Sequence, residues 1–122
     1  MYELSIETDF AAAHNLRGYE GACERLHGHN WKVEVHITVE KLNKIGIALD
    51  FKELKAATAG VIDKLDHRYL NDVPPFDKLN TTAENLARFI HGELSAVLND
   101  GNVSVKRVRV WESERAAAAY YE

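Results

Sequence analysis

From Trp31 to Val39 the chain alternates strictly. Trp31, Val33, Val35, Ile37 and Val39 are apolar, while Lys32, Glu34, His36 and Thr38 are not. Successive side chains of a β-strand point to opposite faces, so this run reads as a strand with one buried and one solvated side. Extended back to His27 and on to about Glu40, the apolar face also carries His27 and His29, with only Gly28 between them. An earlier run, Tyr2 to His14, places Tyr2, Leu4, Ile6, Phe10, Ala12 and His14 on one parity. If the two strands are neighbours, His14, His27 and His29 can converge on one point. Three imidazoles with a vacant fourth position are the ligand set of a catalytic Zn²⁺ rather than a structural one. His-x-His alone also fits unrelated surface histidines, so the surrounding residues have to decide.

Two helices follow the strand pair. Asp50-Phe51-Lys52-Glu53 has the form of a capping box, and Phe51, Leu54, Val61, Ile62 and Leu65 recur at helical spacing behind it. After the Pro74-Pro75 break, Thr81-Thr82-Ala83-Glu84 offers a second box. It leads a helix whose apolar side is Leu86, Phe89, Ile90, Leu94 and Val97, ended by Asn99-Asp100-Gly101. Two β-rich runs close the chain, about Val103 to Glu112 and Ala116 to Tyr121. The order ββααββ predicts an α+β fold: a four-stranded antiparallel sheet with both helices on one face. Such a sheet has two open edges, and joining subunits edge to edge into a larger barrel would remove them.

With 122 residues, 46% hydrophobic and 28% charged, the chain suits one globular domain spanning 1–122. The net charge of -4 argues against a nucleic-acid partner. No apolar run approaches the ~20 residues of a membrane span, and the start lacks a signal-peptide pattern, so a cytoplasmic location is expected.

Cys23 is the only cysteine, which excludes an intrachain disulfide. Lying four residues before His27, it has three readings: a fourth Zn²⁺ ligand, a thiolate base or nucleophile activated by a nearby cation, or an inert buried residue. Asp66-His67 can form a carboxylate–imidazole pair. Adjacent residues in regular structure point apart, however, and a histidine at a helix end gains from the dipole alone. Glu112, at the end of the third long strand, can accept two hydrogen bonds from a guanidine-like ring edge, or can be a solvated turn residue. Glu84 is similarly open between a place in the site and merely completing its helix cap. His36 and His91 read as surface residues.

Taken together, Phe10-Ala11-Ala12-Ala13-His14, Cys23-Glu24-Arg25-Leu26-His27-Gly28-His29, Leu49-Asp50-Phe51, Leu65-Asp66-His67-Arg68-Tyr69-Leu70-Asn71, Thr82-Ala83-Glu84-Asn85-Leu86 and Glu112 resemble the 6-pyruvoyltetrahydropterin synthase family. The resemblance spans nearly the whole chain. The short spacing from Cys23 to His27 is similar to the family's bacterial and archaeal branch, the 6-carboxytetrahydropterin synthases of queuosine biosynthesis. It implies a tunnelling fold (T-fold), a homohexamer with interfacial active sites, and a pterin triphosphate as substrate. It further implies Zn²⁺ on His14, His27 and His29, a catalytic thiol at Cys23, and a proton relay at Asp66 and His67 reaching the thiol from a neighbouring subunit. Glu112 falls on the pterin anchor, with Thr82 and Glu84 lining the pocket. Thr81 stands where many relatives have proline, and the tail Ser113 to Glu122 has no strong match. For the triphosphate, Arg17, Arg25 and Lys32 are candidates by proximity. The alternatives are the pyruvoyl reaction, without carbon–carbon cleavage, and a non-catalytic zinc- or pterin-binding oligomer.

Overall fold

Tyr2–His14 (β1) and His27–Val39 (β2) form one antiparallel ladder that runs without a bulge from Tyr2↔Val39 to His14↔His27. In the computed structural model, which describes residues 1–18, 21 and 24–122, this hairpin is the spine of the molecule. Val103–Trp111 (β4) pairs antiparallel with β2, and Ala117–Tyr121 (β5) pairs with β4. The alternation read from the sequence sets the faces. Trp31, Val33, Val35, Ile37 and Val39 are all fully buried, each such side chain contributing roughly 1.5–3 kcal/mol of burial.

Phe51–Ile62 (α1) and Ala83–Leu98 (α2) cover that face. Asp50 caps α1 through the Lys52 N–H, as its sequence predicts. Phe51 does not join the core: at the first turn it stays half-exposed, and Leu65 is buried beyond the helix end. The cap of α2 is Thr82, whose hydroxyl accepts from Asn85 N, so the box falls one residue later than Thr81–Glu84 suggests. The buried stripe of α2 is Leu86, Ala87, Ile90, His91 and Leu94, while Val97 is exposed. His91 is therefore a core residue rather than a surface one, since Tyr120 of β5 lies across it edge-to-face.

Among the described residues the sheet has five strands, not four: Arg68–Tyr69 (β3) is added beside β1, giving the order β3-β1-β2-β4-β5. The extra strand is two residues long and runs parallel to β1 at Ala12 and Ala13. Two residues carry no periodicity, which is why the pattern does not reveal it. The other face of the sheet is polar. There His36 sits half-buried between Glu3 and Glu34, and Glu34 accepts the Trp111 indole N–H. Burial works to raise the Glu34 pKa, but Trp111, His36, Arg109 and Lys32 together bring it below the ordinary carboxylate value. No helix among the described residues is long and apolar enough to cross a membrane.

Candidate metal centre

The β1–β2 register alone brings the histidines together. His14 is the direct cross-strand partner of His27, and His29 sits opposite Ala12 on the same face. The Trp31 side chain, fully buried two residues on, meets the His14 and His29 rings edge-on at 4.9 and 5.0 Å between centroids. It forms an apolar floor for both. On β4, Val110 and Val33 are partners and both point into the core. Glu112, two residues after Val110, therefore shares that face and reaches the same point. One ligand atom from each of His14, His27, His29 and Glu112 lies within 4.8 Å of all the others.

The hydrogen bonds fix which ring nitrogens face inward. His14 Nδ1 lies 2.8 Å from the Thr81 carbonyl, and His27 Nδ1 lies 2.7 Å from the Arg25 carbonyl. A carbonyl only accepts, so both Nδ1 atoms carry the proton and both neutral rings turn a lone pair inward at Nε2. Those two Nε2 atoms are 3.0 Å apart. Two acceptors at hydrogen-bond distance repel unless a proton or a cation lies between them. Burial, backed by the neighbouring rings His27 and His29, pushes the His14 pKa below the ordinary 6.5 against the pull of the Thr81 carbonyl and Glu112. Burial likewise lowers His29, against Glu112. The proton is thus disfavoured and the donor set fits a cation. His29 Nε2 is buried with no hydrogen-bond partner among the described residues. Glu112 Oε1 approaches it to 3.1 Å as a charge contact only, and His14 Nε2 to 3.7 Å.

The set can hold a divalent metal in two ways. Three histidines can bind it with a vacancy beside Glu112, or all four residues can ligate and close the site. Two carbonyl-anchored imidazoles are oriented ligands, the usual means of raising a ligand's basicity and fixing its tautomer.

The lowered values make stability pH-dependent in the metal-free protein. A histidine that titrates lower when folded binds fewer protons folded than unfolded. The stability it supports is therefore complete above about pH 6.5 and is lost as the pH falls from there through the lowered folded values. Thermal melts of metal-free protein across pH 8 to 5 are expected to show the melting temperature falling below pH 6.5. Saturation with Zn²⁺ should move that fall to lower pH, because metal competes with protons for the same lone pairs. A flat melting temperature across the range would contradict the burial of these rings.

Comparison with known proteins agrees with this geometry. The family model described as 6-pyruvoyl tetrahydropterin synthase matches residues 3–122. The chain belongs to that family. Among curated relatives, 6-carboxy-5,6,7,8-tetrahydropterin synthase of Haemophilus influenzae is 33% identical, with all of both chains covered. Dihydroneopterin monophosphate aldolase of Pyrococcus furiosus is 40% identical over 89% of this chain and 88% of that one. Among solved structures, 6-pyruvoyl tetrahydropterin synthase of Caenorhabditis elegans superposes with a TM-score of 0.89 at 26% identity, covering 99% and 95%. The T-fold expectation holds, with one added strand.

Within this family member, the other expected site residues are placed as follows. Asp66 and His67 do contact each other, Oδ1 to Nδ1 at 2.9 Å, contrary to the expectation that neighbours point apart. The reason is backbone: His67 has φ of 58°, and this left-handed turn swings its ring back over Asp66. The strained residue is held because His67 N donates to Ala11 O and Ala11 N donates to Asp66. The Ala11 N–H, followed by contacts from His67, holds the Asp66 carboxyl below its ordinary value against the opposing effect of burial. His67 and His29 line one open cavity of about 520 Å³, floored by Ala11, Ala12, Ala13 and Gly28. A Cβ on Gly28 would lie 3.9 Å from the Ala12 carbonyl, an ordinary contact, so neither space nor backbone shape within this chain demands a glycine there.

Thr82 is engaged as the α2 cap and Glu84 is exposed on its first turn; neither lines that cavity. Arg17 is held by the Phe76 carbonyl, and Lys32 projects on the opposite sheet face toward Glu7 and Glu34. Cys23 lies outside the described residues. Sequence reasoning missed the carbonyl of Thr81, since main-chain acceptors leave no trace in residue type.

Proposed function

We propose that this chain is a 6-carboxy-5,6,7,8-tetrahydropterin synthase. It would convert 7,8-dihydroneopterin triphosphate and water into 6-carboxytetrahydropterin, acetaldehyde and triphosphate, in the cytoplasmic supply of 7-deazapurines such as queuosine. The observation that supports it most is the facing pair of Nε2 lone pairs on His14 and His27 beside His29. That donor set needs a cation, and it sits in a chain of pterin-synthase ancestry. Zn²⁺ bound there supplies Lewis-acid stabilisation of negative charge on the substrate's side-chain oxygens.

The chain's own residues do the rest. His14, His27 and His29 hold the metal. Cys23, as thiolate, removes a side-chain proton next to the ring. The Asp66–His67 pair accepts and returns protons at His67, with Asp66 fixing the ring through its Nδ1–H. Glu112, among the described residues the one carboxylate grouped with the histidines, accepts the amidine edge of the pterin. Oxidation levels change only within the substrate, so no redox cofactor is used. In the assembled enzyme the open edges, β5 on one side and the part of β1 that the short β3 leaves unpaired on the other, join neighbouring subunits, giving a hexamer with the sites at interfaces and the relay donated across them.

Incubating Zn²⁺-loaded protein with the triphosphate substrate and weighing the products by mass spectrometry tests this, with sedimentation of the same preparation reporting the assembly. Acetaldehyde and the carboxylated pterin in equal amounts are expected. Triphosphate release without acetaldehyde would establish the pyruvoyl reaction instead. Turnover of only the monophosphate would follow the Pyrococcus furiosus relative, whose name is that of an aldolase. Metal and pterin bound with no turnover would leave a binding module.

A further inference from the structure

Asn71 is not among the metal-facing residues, yet its side chain bonds two residues that flank His14: Asn15, next in the chain, and Thr81, whose carbonyl orients the ring. Its Nδ2 donates to the Asn15 carbonyl at 2.9 Å, and its Oδ1 accepts from the Asn15 N–H at 3.1 Å. One amide thus satisfies both main-chain groups of the residue that follows the ligand. The same Oδ1 lies 3.3 Å from the hydroxyl of Thr81, whose single proton is shared with the Asn15 carbonyl at 3.2 Å. Thr81 is fully buried, and its carbonyl is the acceptor that orients the His14 ring. The orientation of the amide is fixed, because turning it over would set Nδ2 against the Asn15 N–H and Oδ1 against the Asn15 carbonyl.

Asn71 is also tied in sequence to the Asp66–His67 pair, and both ends of that segment grip β1. Asp66 and His67 bond Ala11 before His14, while Tyr69 and Asn71 bond Asn15 after it. His14 is bracketed.

We propose that Asn71 is a positioning residue for the metal: its amide, through Asn15 and Thr81, sets the His14 imidazole and fixes the Asp66–His67 segment relative to it. The inference rests on the metal reading above and adds a residue to it. Groups that orient a metal's ligands typically cost about 10- to 100-fold in metal affinity when removed. Asn71→Asp keeps the shape but turns the donor into an acceptor facing the Asn15 carbonyl. Thr81→Val keeps the orienting carbonyl and removes only the hydroxyl that anchors it, and Thr81→Ser restores that hydroxyl.

The test is Zn²⁺ affinity by competition with a chromophoric chelator, together with the visible spectrum of the Co²⁺-substituted protein, on the full chain well below its melting temperature. Asn71→Asp should lose about 10- to 100-fold in Zn²⁺ affinity and change the Co²⁺ bands. Thr81→Val should lose affinity by a smaller factor, with Thr81→Ser close to wild type. A lower melting temperature with unchanged Zn²⁺ affinity and Co²⁺ bands would overturn the proposal, leaving Asn71 a packing residue. If Asn71→Asp does not fold, a Thr81→Val protein indistinguishable from wild type in both metal readouts overturns it alone. A wild-type chain that holds no metal defeats the metal reading itself, and this inference with it.

Discussion

Replacing His27 by alanine is expected to empty the metal site and abolish turnover without unfolding the protein. His27 supplies one of three inward Nε2 atoms. A metal's stabilisation of developing charge is worth several kcal/mol, so at 1.36 kcal/mol per tenfold the rate should fall by about 10³ or more. The stability effect separates this from ordinary damage. In the metal-free protein the His14 and His27 lone pairs repel at 3.0 Å, and truncating one removes that repulsion. The melting temperature of metal-free His27→Ala should therefore equal or exceed that of metal-free wild type. Zn²⁺ should raise the melting temperature of wild type only, since a ligand stabilises only the fold that binds it. Elemental analysis, activity and paired melts check all three points. Zinc stoichiometry equal to wild type would contradict the site. His36→Ala serves as the control. It also removes a histidine from β2, but from the opposite face of the sheet, and should leave metal content unchanged.

That contrast between His27 and His36 is what a sequence can express. Period two assigned each β2 residue to a face, and the equal length of the two runs allowed His14 to meet His27. Cap chemistry located α1 because Asp50 acts on the residues next to it. Features set by distant chain were not legible. His91 sits off the apolar stripe of α2 and is nonetheless buried, because Tyr120 from the end of the chain covers it. Phe51 sits on its stripe and is half-exposed, because it lines an open cavity with Tyr2 and Leu4 of β1 instead of packing into the core. Asp66 and His67 converge only because His67 takes a left-handed φ, which nothing in the residue type requires. The Asn71 bonds to the Asn15 main chain and to the Thr81 hydroxyl span 56 and 10 residues, distances over which polar residues announce no partner. Sequence therefore picked out three histidines that the fold brings together, and the structure shows which carbonyls aim two of their rings.

Cys23→Ala is expected to keep the metal and lose the chemistry. Three converging histidines can hold the metal without sulfur, and the proposed reaction assigns the Cys23 thiol to proton transfer. Loss of a positioned base typically costs about 10²- to 10⁴-fold in rate, and kcat should fall by that factor with zinc content unchanged. Serine at the same position should rescue little, since a hydroxyl ionises far above the working pH. A second measurement reads the thiol directly. A cysteine beside a divalent cation ionises below the ordinary value of about 8.5. Alkylation of Zn²⁺-loaded wild type by iodoacetamide should therefore be faster at pH 7 than that of a free thiol, and slower once the metal is chelated. The three readings of Cys23 then separate. A catalyst loses rate and keeps zinc. A ligand loses zinc on substitution and is protected from alkylation by metal. An inert buried residue changes neither rate nor zinc content and reacts slowly throughout.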